Sequence, residues 1–329
     1  MTPNIADRGV NLGGWFIPEE WMTPGLFDDL NVSDTAGLLQ SPEGVRRYKE
    51  HIQEFIQESD IKELANNKVQ LLRVPVAWWM IVDECAELAD VCIERLDWLF
   101  RLVEKYDLKI LLDYHAALGS QNGKDHSGKN GVIEWKEYRT ENLVYISDIA
   151  RRYANSPALW GIELLNEPVV KGNFWALFHY YRAAKKQLKS ILPASVKIII
   201  HDGFMPMLFA NIAPWRSKTV LDMHLYEITV KDDESIQQYF DRRDKIYRRR
   251  IRLYKRFQPI IIGEWSGVIP AKFLNGLQPD EKAEIIRENI SRQLALYRKA
   301  EAWMFWSYKT ADTSMWNFQS LLQSHKELL

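Results

Sequence analysis

The chain has few features that could cross-link it, anchor it or give it a strong charge. Its two cysteines, Cys85 and Cys92, sit seven apart in one short connecting stretch. That is neither a disulfide framework nor the C-x-x-C spacing of a metal site. No apolar run approaches the ~20 residues that cross a bilayer, so no stable membrane insertion is expected. The N-terminal MTPNIADRGVNLGGW lacks a basic segment followed by an apolar one. The expected location is therefore the cytoplasm, with a processed or truncated form of a secreted protein as the alternative. An excess of one charge is missing too: 43 Lys and Arg stand against 44 Asp and Glu, for a net charge of −1. A chain without a basic excess is a poor neutraliser of phosphate, so no nucleic-acid partner is expected.

Linkers, low-complexity tracts and internal repeats are also absent, so residues 1–329 are expected to form a single domain. Aromatic residues, by contrast, are plentiful: 13 Trp, 14 Tyr and 13 Phe. They can fill a large core or line a cleft with flat apolar faces suited to the C–H patches of sugar rings, and composition leaves both open.

Eight apolar, β-branched segments recur along the chain: Gly9–Trp15, Val69–Val76, Leu108–His115, Leu159–Glu167, Lys197–Phe204, Thr219–Tyr226, Pro259–Trp265 and Ala302–Lys309. Amphipathic helical stretches lie between most of them, among them one running from Tyr48 to Asn67 with Tyr48, Ile52, Phe55, Ile56, Ile61 and Leu64 on one face. Apolar strands alternating with helices predict a parallel sheet covered on its outside. Eight units in this length predict an α/β fold of the (β/α)8 TIM-barrel class. The competing open doubly wound sheet would carry a G-x-G-x-x-G phosphate loop after its first strand. Here that strand runs into Leu12-Gly13-Gly14-Trp15. The segment Asp241–Phe257, with nine Lys or Arg against two Asp, reads as the solvated face of the helix between strands six and seven; a patch for an anionic partner is the alternative.

In such a barrel, chemistry sits at the C-terminal ends of the strands. Polar residues gather there in this sequence: Arg73; Asp113 and His115; Asn166 and Glu167; His201 and Asp202; Asp222, His224 and Tyr226; Glu264 with Trp265; and Trp306, Tyr308 and Lys309. Buried ionisable groups are costly unless paired, so a ring of them marks a functional site. The set contains a carboxylate pair, Glu167 and Glu264. Cleaving an acetal needs one protonated carboxyl near the leaving oxygen and one carboxylate on the opposite face of the sugar ring. Arg73 would keep a nucleophilic carboxylate charged, Tyr226 could donate to it, Asn166 could hold a ring hydroxyl, and Trp306 could form a floor. Glu163 shares the face of Glu167, points into the barrel and needs a buried partner, for which Arg73 is the candidate. His115, His201, Asp202, Asp222 and His224 are ligand-type residues, but H-E-x-x-H and a clustered acidic set are missing; no metal and no cofactor is expected. A serine hydrolase is disfavoured because G-x-S-x-G is missing.

These residues resemble glycoside hydrolase family 5, the cellulase family, nearly end to end: RGVNLGGW, LLRVPVAWW, LDYHAALGSQNG, WGIELLNEP, LDMHLYE, IIGEWSG and AWMFWSYKT. The resemblance implies a retaining (β/α)8 hydrolase with Glu167 as general acid/base and Glu264 as nucleophile. Arg73, His115, Asn166, His224, Tyr226 and Trp306 fall on the family's usual active-site positions. Within the family the chain is most similar to exo-acting β-1,3-glucanases. GGWFIPEEW puts Glu19, and SQNGKDHSG puts Asp125, where those enzymes hold the terminal sugar. It departs from them at Lys124 and Thr229, where phenylalanines clamp the acceptor sugar, and at Ala116, Ala117 and Leu118. The implied substrate is a β-glucoside or β-glucan oligosaccharide. An endo-β-1,4-glucanase, a glycolipid or steryl β-glucosidase and a non-catalytic sugar-binding barrel are the alternatives, and the oligomeric state is left open.

Overall fold

Alternate residues of a strand face opposite sides, and here both sides are buried. In the computed structural model, which describes residues 6–82, 86–205, 208, 219–312 and 315–325, eight parallel strands close into a barrel in sequence order. They are β1 Asp7–Asn11, β2 Leu71–Ala77, β3 Lys109–Ala116, β4 Leu159–Glu163, β5 Lys197–His201, β6 Thr219–His224, β7 Ile260–Trp265 and β8 Ala302–Phe305. Strand β8 closes the ring by pairing with β1. Cys85 lies outside the described residues, and Cys92 is free and buried. No helix among the described residues is long and apolar enough to cross a membrane.

The outer face of the strands packs under the helices: Leu72, Val74, Ile110, Leu112, Ile162, Ile200, Leu221 and Ile262 belong to the main core. The inner face is layered. Leu71, Leu111, Ile199, Val220, Ile261, Ala302 and Met304 form a separate apolar plug inside the barrel. Two residues further along four of these strands, the inner positions become Arg73, Asp113, His201 and Asp222, with Glu163 of β4 level with Asp113, all buried. The barrel therefore changes from apolar to charged within one strand repeat, towards the C-terminal ends.

Among the described residues the α-helices of seven residues or more are α1 Pro42–Glu54, α2 Glu58–Asn66, α3 Ala86–Lys105, α4 Arg139–Tyr153, α5 Phe174–Ile191, α6 Ile236–Tyr254, α7 Pro279–Tyr297 and α8 Phe318–Ser324. The single helix expected from Tyr48 to Asn67 is two. Gln57 divides them: its side-chain amide donates to the carbonyls of Gln53 (2.8 Å) and Glu54 (2.9 Å), and its backbone N–H donates to Asp60 Oδ2 (2.8 Å). One residue thus satisfies the end of α1 and the start of α2. In α6 the solvated-face reading matches the exposure of Lys245, Arg248, Arg249, Arg250 and Arg252, with Tyr247, Ile251 and Tyr254 buried. Arg243 departs from it, being buried between Asp244 (2.8 Å) and Asn289 of α7.

Candidate active site

Strand register brings the central groups together. Arg73 pairs with Asn11 across β1–β2, Asp113 with Glu163 across β3–β4, His201 with Asp222 across β5–β6, and His224 with Glu264 across β6–β7. The last pairing depends on an irregularity. Between Asp222↔Ile261 and His224↔Glu264, two steps on β6 match three on β7. Strict alternation after Ile261 would turn Gly263 inward and Glu264 outward. The bulge instead re-aims the carboxylate into the barrel, and Trp265 packs outside against Trp303 and Phe305. Gly263 is required at the same point, because a Cβ there would lie 1.8 Å from Asp222 Oδ2.

Arg73 is the hub. Its Nε donates to Glu163 Oε2 (3.0 Å), Nη1 to Asn11 Oδ1 (3.0 Å) and Glu264 Oε1 (2.9 Å), and Nη2 to Asn166 Oδ1 (2.9 Å). Nη2 also lies 3.0 Å from Asp113 Oδ2. Burial alone would lower the arginine's pKa, but Asp113, Glu163, Glu264 and Asp222 hold it well above the ordinary value. The partner expected for Glu163 is therefore the one found. Burial, reinforced by Asp222 and Asp113, pushes the Glu163 carboxyl well up despite Arg73.

The two candidate glutamates meet at His224. Its Nδ1 is 2.6 Å from Glu167 Oε1 and 3.3 Å from Glu264 Oε2, which bounds those two oxygens to at most 5.9 Å of each other. Burial opposes charge on His224, but Glu264, Asp222 and Glu167 outweigh it and raise its pKa well above the imidazole value. Burial likewise acts to raise Glu167; His224 first, then His126 and His201, reverse this and leave its pKa lowered. The two shifts both draw a shared proton towards His224. Tyr226 donates to Glu264 Oε2 (3.0 Å), and burial beside that carboxylate keeps the phenol protonated.

Around this pair, His115 contacts Asp113 Oδ2 through Nδ1 (2.5 Å) and stacks on Trp306 with ring centres 5.5 Å apart. Burial lowers its pKa against the pull of Asp113. Asn166 Nδ2 lies 3.3 Å from His115 Nε2. Glu19 is buried, accepts a hydrogen bond from Trp21 Nε1 (2.7 Å), and has its pKa pushed up to about 7 by burial, with Asp125 and Glu264 adding to the rise and His126 opposing it. Asp125 starts a short 3-10 turn and accepts from the backbone N–H of His126 (2.9 Å). The structure thus gathers Glu167, Glu264, Arg73, His115, Asn166, His224, Tyr226, Trp306, Glu19 and Asp125 at the C-terminal mouth.

Several expectations need correction. Strand four ends at Glu163, four residues before Glu167, whose backbone lies in the left-handed region at φ 42°. Strand eight ends at Phe305, so Tyr308 and Lys309 leave the mouth and bind Asp60 of α2 at 3.1 and 2.8 Å. Trp265 faces the outer core. Lys124 and Thr229 are exposed, and the Thr229 carbonyl is taken by Arg242 (2.6 Å). His126 was not singled out, yet its Nε2 lies 3.6 Å from Glu167 Oε2; its place beside Asp125 in SQNGKDHSG was the available signal. Among the described residues two ligand-type triplets exist, Glu167–His201–His224 and Glu163–Asp222–His224. Both depend on His224, whose Nδ1 faces Glu167 (2.6 Å) and whose Nε2 faces Asp222 (3.5 Å).

The profile of the Cellulase family (glycosyl hydrolase family 5) matches residues 37–312. The chain is 30% identical over 359 residues to the "Probable glucan 1,3-beta-glucosidase A" of Aspergillus niger, covering 96% of this chain and 85% of that protein. It is 29% identical to the glucan 1,3-beta-glucosidase of Blumeria graminis, covering 98% and 86%. Among solved structures, rutinosidase from Aspergillus niger superposes with a TM-score of 0.80 at 18% identity over 98% of both chains. Endo-glycoceramidase II from Rhodococcus sp. superposes with a TM-score of 0.63 at 14% identity, covering 95% of this chain and 75% of that one. At these identities the two structural likenesses speak for the fold.

Proposed function

The chain belongs to glycosyl hydrolase family 5, and from that premise we propose that it is a retaining, exo-acting β-glucosidase with β-1,3-linked glucan oligosaccharides as its substrates. Residues 1–329 act as one catalytic domain, with Glu264 as nucleophile and Glu167 as general acid/base. The observation that carries this reading is the placement of both carboxylates on one histidine nitrogen, with the facing oxygens at most 5.9 Å apart. Carboxyl groups of retaining enzymes stand about 5–5.5 Å apart, whereas inverting enzymes leave roughly 6.5–9.5 Å for a water.

Each neighbour has a task in double displacement. Arg73 and Tyr226 hold Glu264 oriented for attack on the anomeric carbon. His224 stores the proton. The charge that holds the proton there most strongly belongs to Glu264, and attack consumes that charge. The proton is then free to pass through Glu167 to the leaving oxygen as the glycosyl–enzyme ester forms. In the second half, Glu167 takes a proton from water, which attacks the ester and releases the sugar with its β configuration. Trp306 supplies the floor, Asn166 and His115 hold ring hydroxyls, and Glu19 with Asp125 grips the non-reducing end. The β-1,3 preference is supported by the two glucan 1,3-beta-glucosidases above.

The test is product analysis with time-resolved NMR on laminarin oligosaccharides. Release of glucose from one end, appearing first as the β anomer, is expected. Initial release of α-glucose would overturn the retaining assignment, and internal cleavage would overturn the exo assignment. Glu264→Gln should lose at least about 10⁴-fold in kcat while keeping its fold. Full turnover in that variant would remove Glu264 from the nucleophile role.

A further inference from the structure

Strand β4 ends at Glu163, four residues short of the proposed general acid. The backbone of Glu167 turns left-handed at φ 42°, a costly conformation for a residue with a side chain, and Pro168 follows with no N–H to donate. Such a turn persists only where its surroundings hold it. Three main-chain groups of the turn are taken by one loop. The Asn166 carbonyl accepts from Gln121 Nε2 (2.9 Å), and the Glu167 carbonyl accepts from Asn122 Nδ2 (3.2 Å). The Val169 N–H donates to the Gln121 carbonyl (3.1 Å). Both supporting residues lie in the loop after β3, 45 residues away in sequence from the carbonyls they hold.

Gln121 is fully buried, and both N–H groups of its amide are spent on main chain. Besides Asn166, Nε2 donates to the His115 carbonyl (2.6 Å), and Oε1 accepts from the Ala117 N–H (3.1 Å). One side chain thereby joins the end of β3 to the turn after β4. The loop that presents it is braced from within. Ser120 Oγ donates to Ser127 Oγ (2.6 Å) and accepts from the Gly123 N–H (3.0 Å), while Ser127 Oγ donates to the Lys124 carbonyl (2.7 Å). Asp125 and His126 belong to the same loop, and His126 Nε2 lies 3.6 Å from Glu167 Oε2. The residue proposed to grip the sugar and the one proposed to protonate its leaving oxygen share one braced support.

We propose that Gln121 is a positioning residue for the general acid, fixing the turn that aims the Glu167 carboxyl at the leaving oxygen of the substrate. The inference rests on the acid/base reading of Glu167 above and adds what holds that group in place. Gln121 acts through the main chain of Asn166 and Val169, on either side of Glu167. Without its amide, the buried carbonyls of His115 and Asn166 lose a donor, and the left-handed turn is free to relax. A displacement of about 1 Å at a reacting group costs roughly 10²-fold in rate. Glu264 takes its alignment from Arg73 and Tyr226, so its attack is spared. The loss falls on the step that needs an acid.

The experiment compares kcat/KM for methyl β-glucoside, whose leaving oxygen must be protonated, and 2,4-dinitrophenyl β-glucoside, whose phenolate departs unaided. Gln121→Met keeps the length of the side chain and removes the amide. It should lower kcat/KM about 10²-fold for the methyl compound and by less than about tenfold for the dinitrophenyl compound. Asn122→Ala removes only the bond to the Glu167 carbonyl and that to the Lys124 N–H (3.0 Å), and should lower the methyl rate about fivefold with the dinitrophenyl rate nearly unchanged. If Gln121→Met does not fold, the selectivity of Asn122→Ala decides. Equal losses for the two glucosides, or no loss, overturn the inference, since a merely structural role lowers both alike. Glu167→Ala, measured in parallel, separates the two readings. Selective loss there with unselective loss at Gln121 and Asn122 leaves Glu167 as the acid and removes Gln121 from its support. Unselective loss in Glu167→Ala overturns the acid/base reading and the inference with it.

Discussion

The side chain on which the proposed chemistry turns is His224, and its protonation sets the pH behaviour. The His224–Glu167 pair needs one proton to act as an acid, and activity ends when that proton is lost. His224 binds it with a pKa raised well above the ordinary imidazole value, so the basic limb of kcat/KM for an aryl β-glucoside lies above that range. His224→Asn leaves the proton to Glu167 alone, without the neighbour that chiefly lowers its pKa. Its affinity rises but stays below that of the lost histidine. The basic limb should move to lower pH, and the rate at neutral pH should fall by about 10²–10⁴. A pH–rate profile checks this, and an unmoved basic limb would take His224 out of the proton path. Glu19 predicts the opposite limb. With a pKa of about 7, it is protonated below that pH and loses an acceptor for a sugar hydroxyl. KM should therefore rise as pH falls through about 7, with kcat changed less. Glu19→Gln should have a high KM at every pH, and a pH-dependent KM surviving in that variant would assign the titration elsewhere.

At the scale of the element, the decisive device is the bulge in β7, and it explains what the sequence made legible. The eight strands, their parallel order and the outer core follow from apolar runs alternating with helices. Arg73, Glu163 and Asp113 follow too, because strict alternation sets them on the inner face. Legibility stops where a strand departs from alternation or a loop returns. Glu264 reaches the site only through the register shift, Glu167 only after four residues beyond β4, and His126 only through the short turn that Asp125 starts. The break between α1 and α2 was hidden for a similar reason: the apolar pattern runs straight through Gln57, and side-chain capping, not periodicity, divides it. The bulge carries its own test. Gly263→Ala sets a methyl group against Asp222 Oδ2, at 1.8 Å without relaxation, next to the N–H that Asp222 Oδ1 accepts (2.6 Å). Overpacking of this kind costs about 1–3 kcal/mol. Because the strain falls beside Glu264, kcat should drop by more than tenfold; parallel denaturation and kinetics check both, and a variant with native kcat would remove the bulge from catalysis.

Across the whole molecule, Arg73 links strands that are far apart in sequence. One guanidinium bonds to Asn11 of β1, Glu163 of β4, Asn166 beyond β4 and Glu264 of β7, while Asp113 of β3 lies within ion-pair distance. The barrel's charged layer is thus closed by one cation above an apolar plug. Its carboxylates are not equivalent. The Glu163 carboxyl is pushed up, whereas Asp222 is lowered, since His224 and Arg73 outweigh its burial. Removing the shared cation strands buried negative charge, a loss of about 3–5 kcal/mol for a single broken buried pair. Glu163→Gln replaces a carboxyl whose ionisation burial opposes and keeps a carbonyl oxygen for Arg73 Nε, so its cost should stay under about 1 kcal/mol. Urea denaturation of Arg73→Met and Glu163→Gln at neutral pH separates the two. Arg73→Met should show the larger fall in midpoint together with loss of turnover, because Glu264 loses its cation as the barrel loses its clasp. Equal destabilisation by both substitutions would mean that Glu163 is ionised and that the charge distribution of the inner layer is the reverse of the one described.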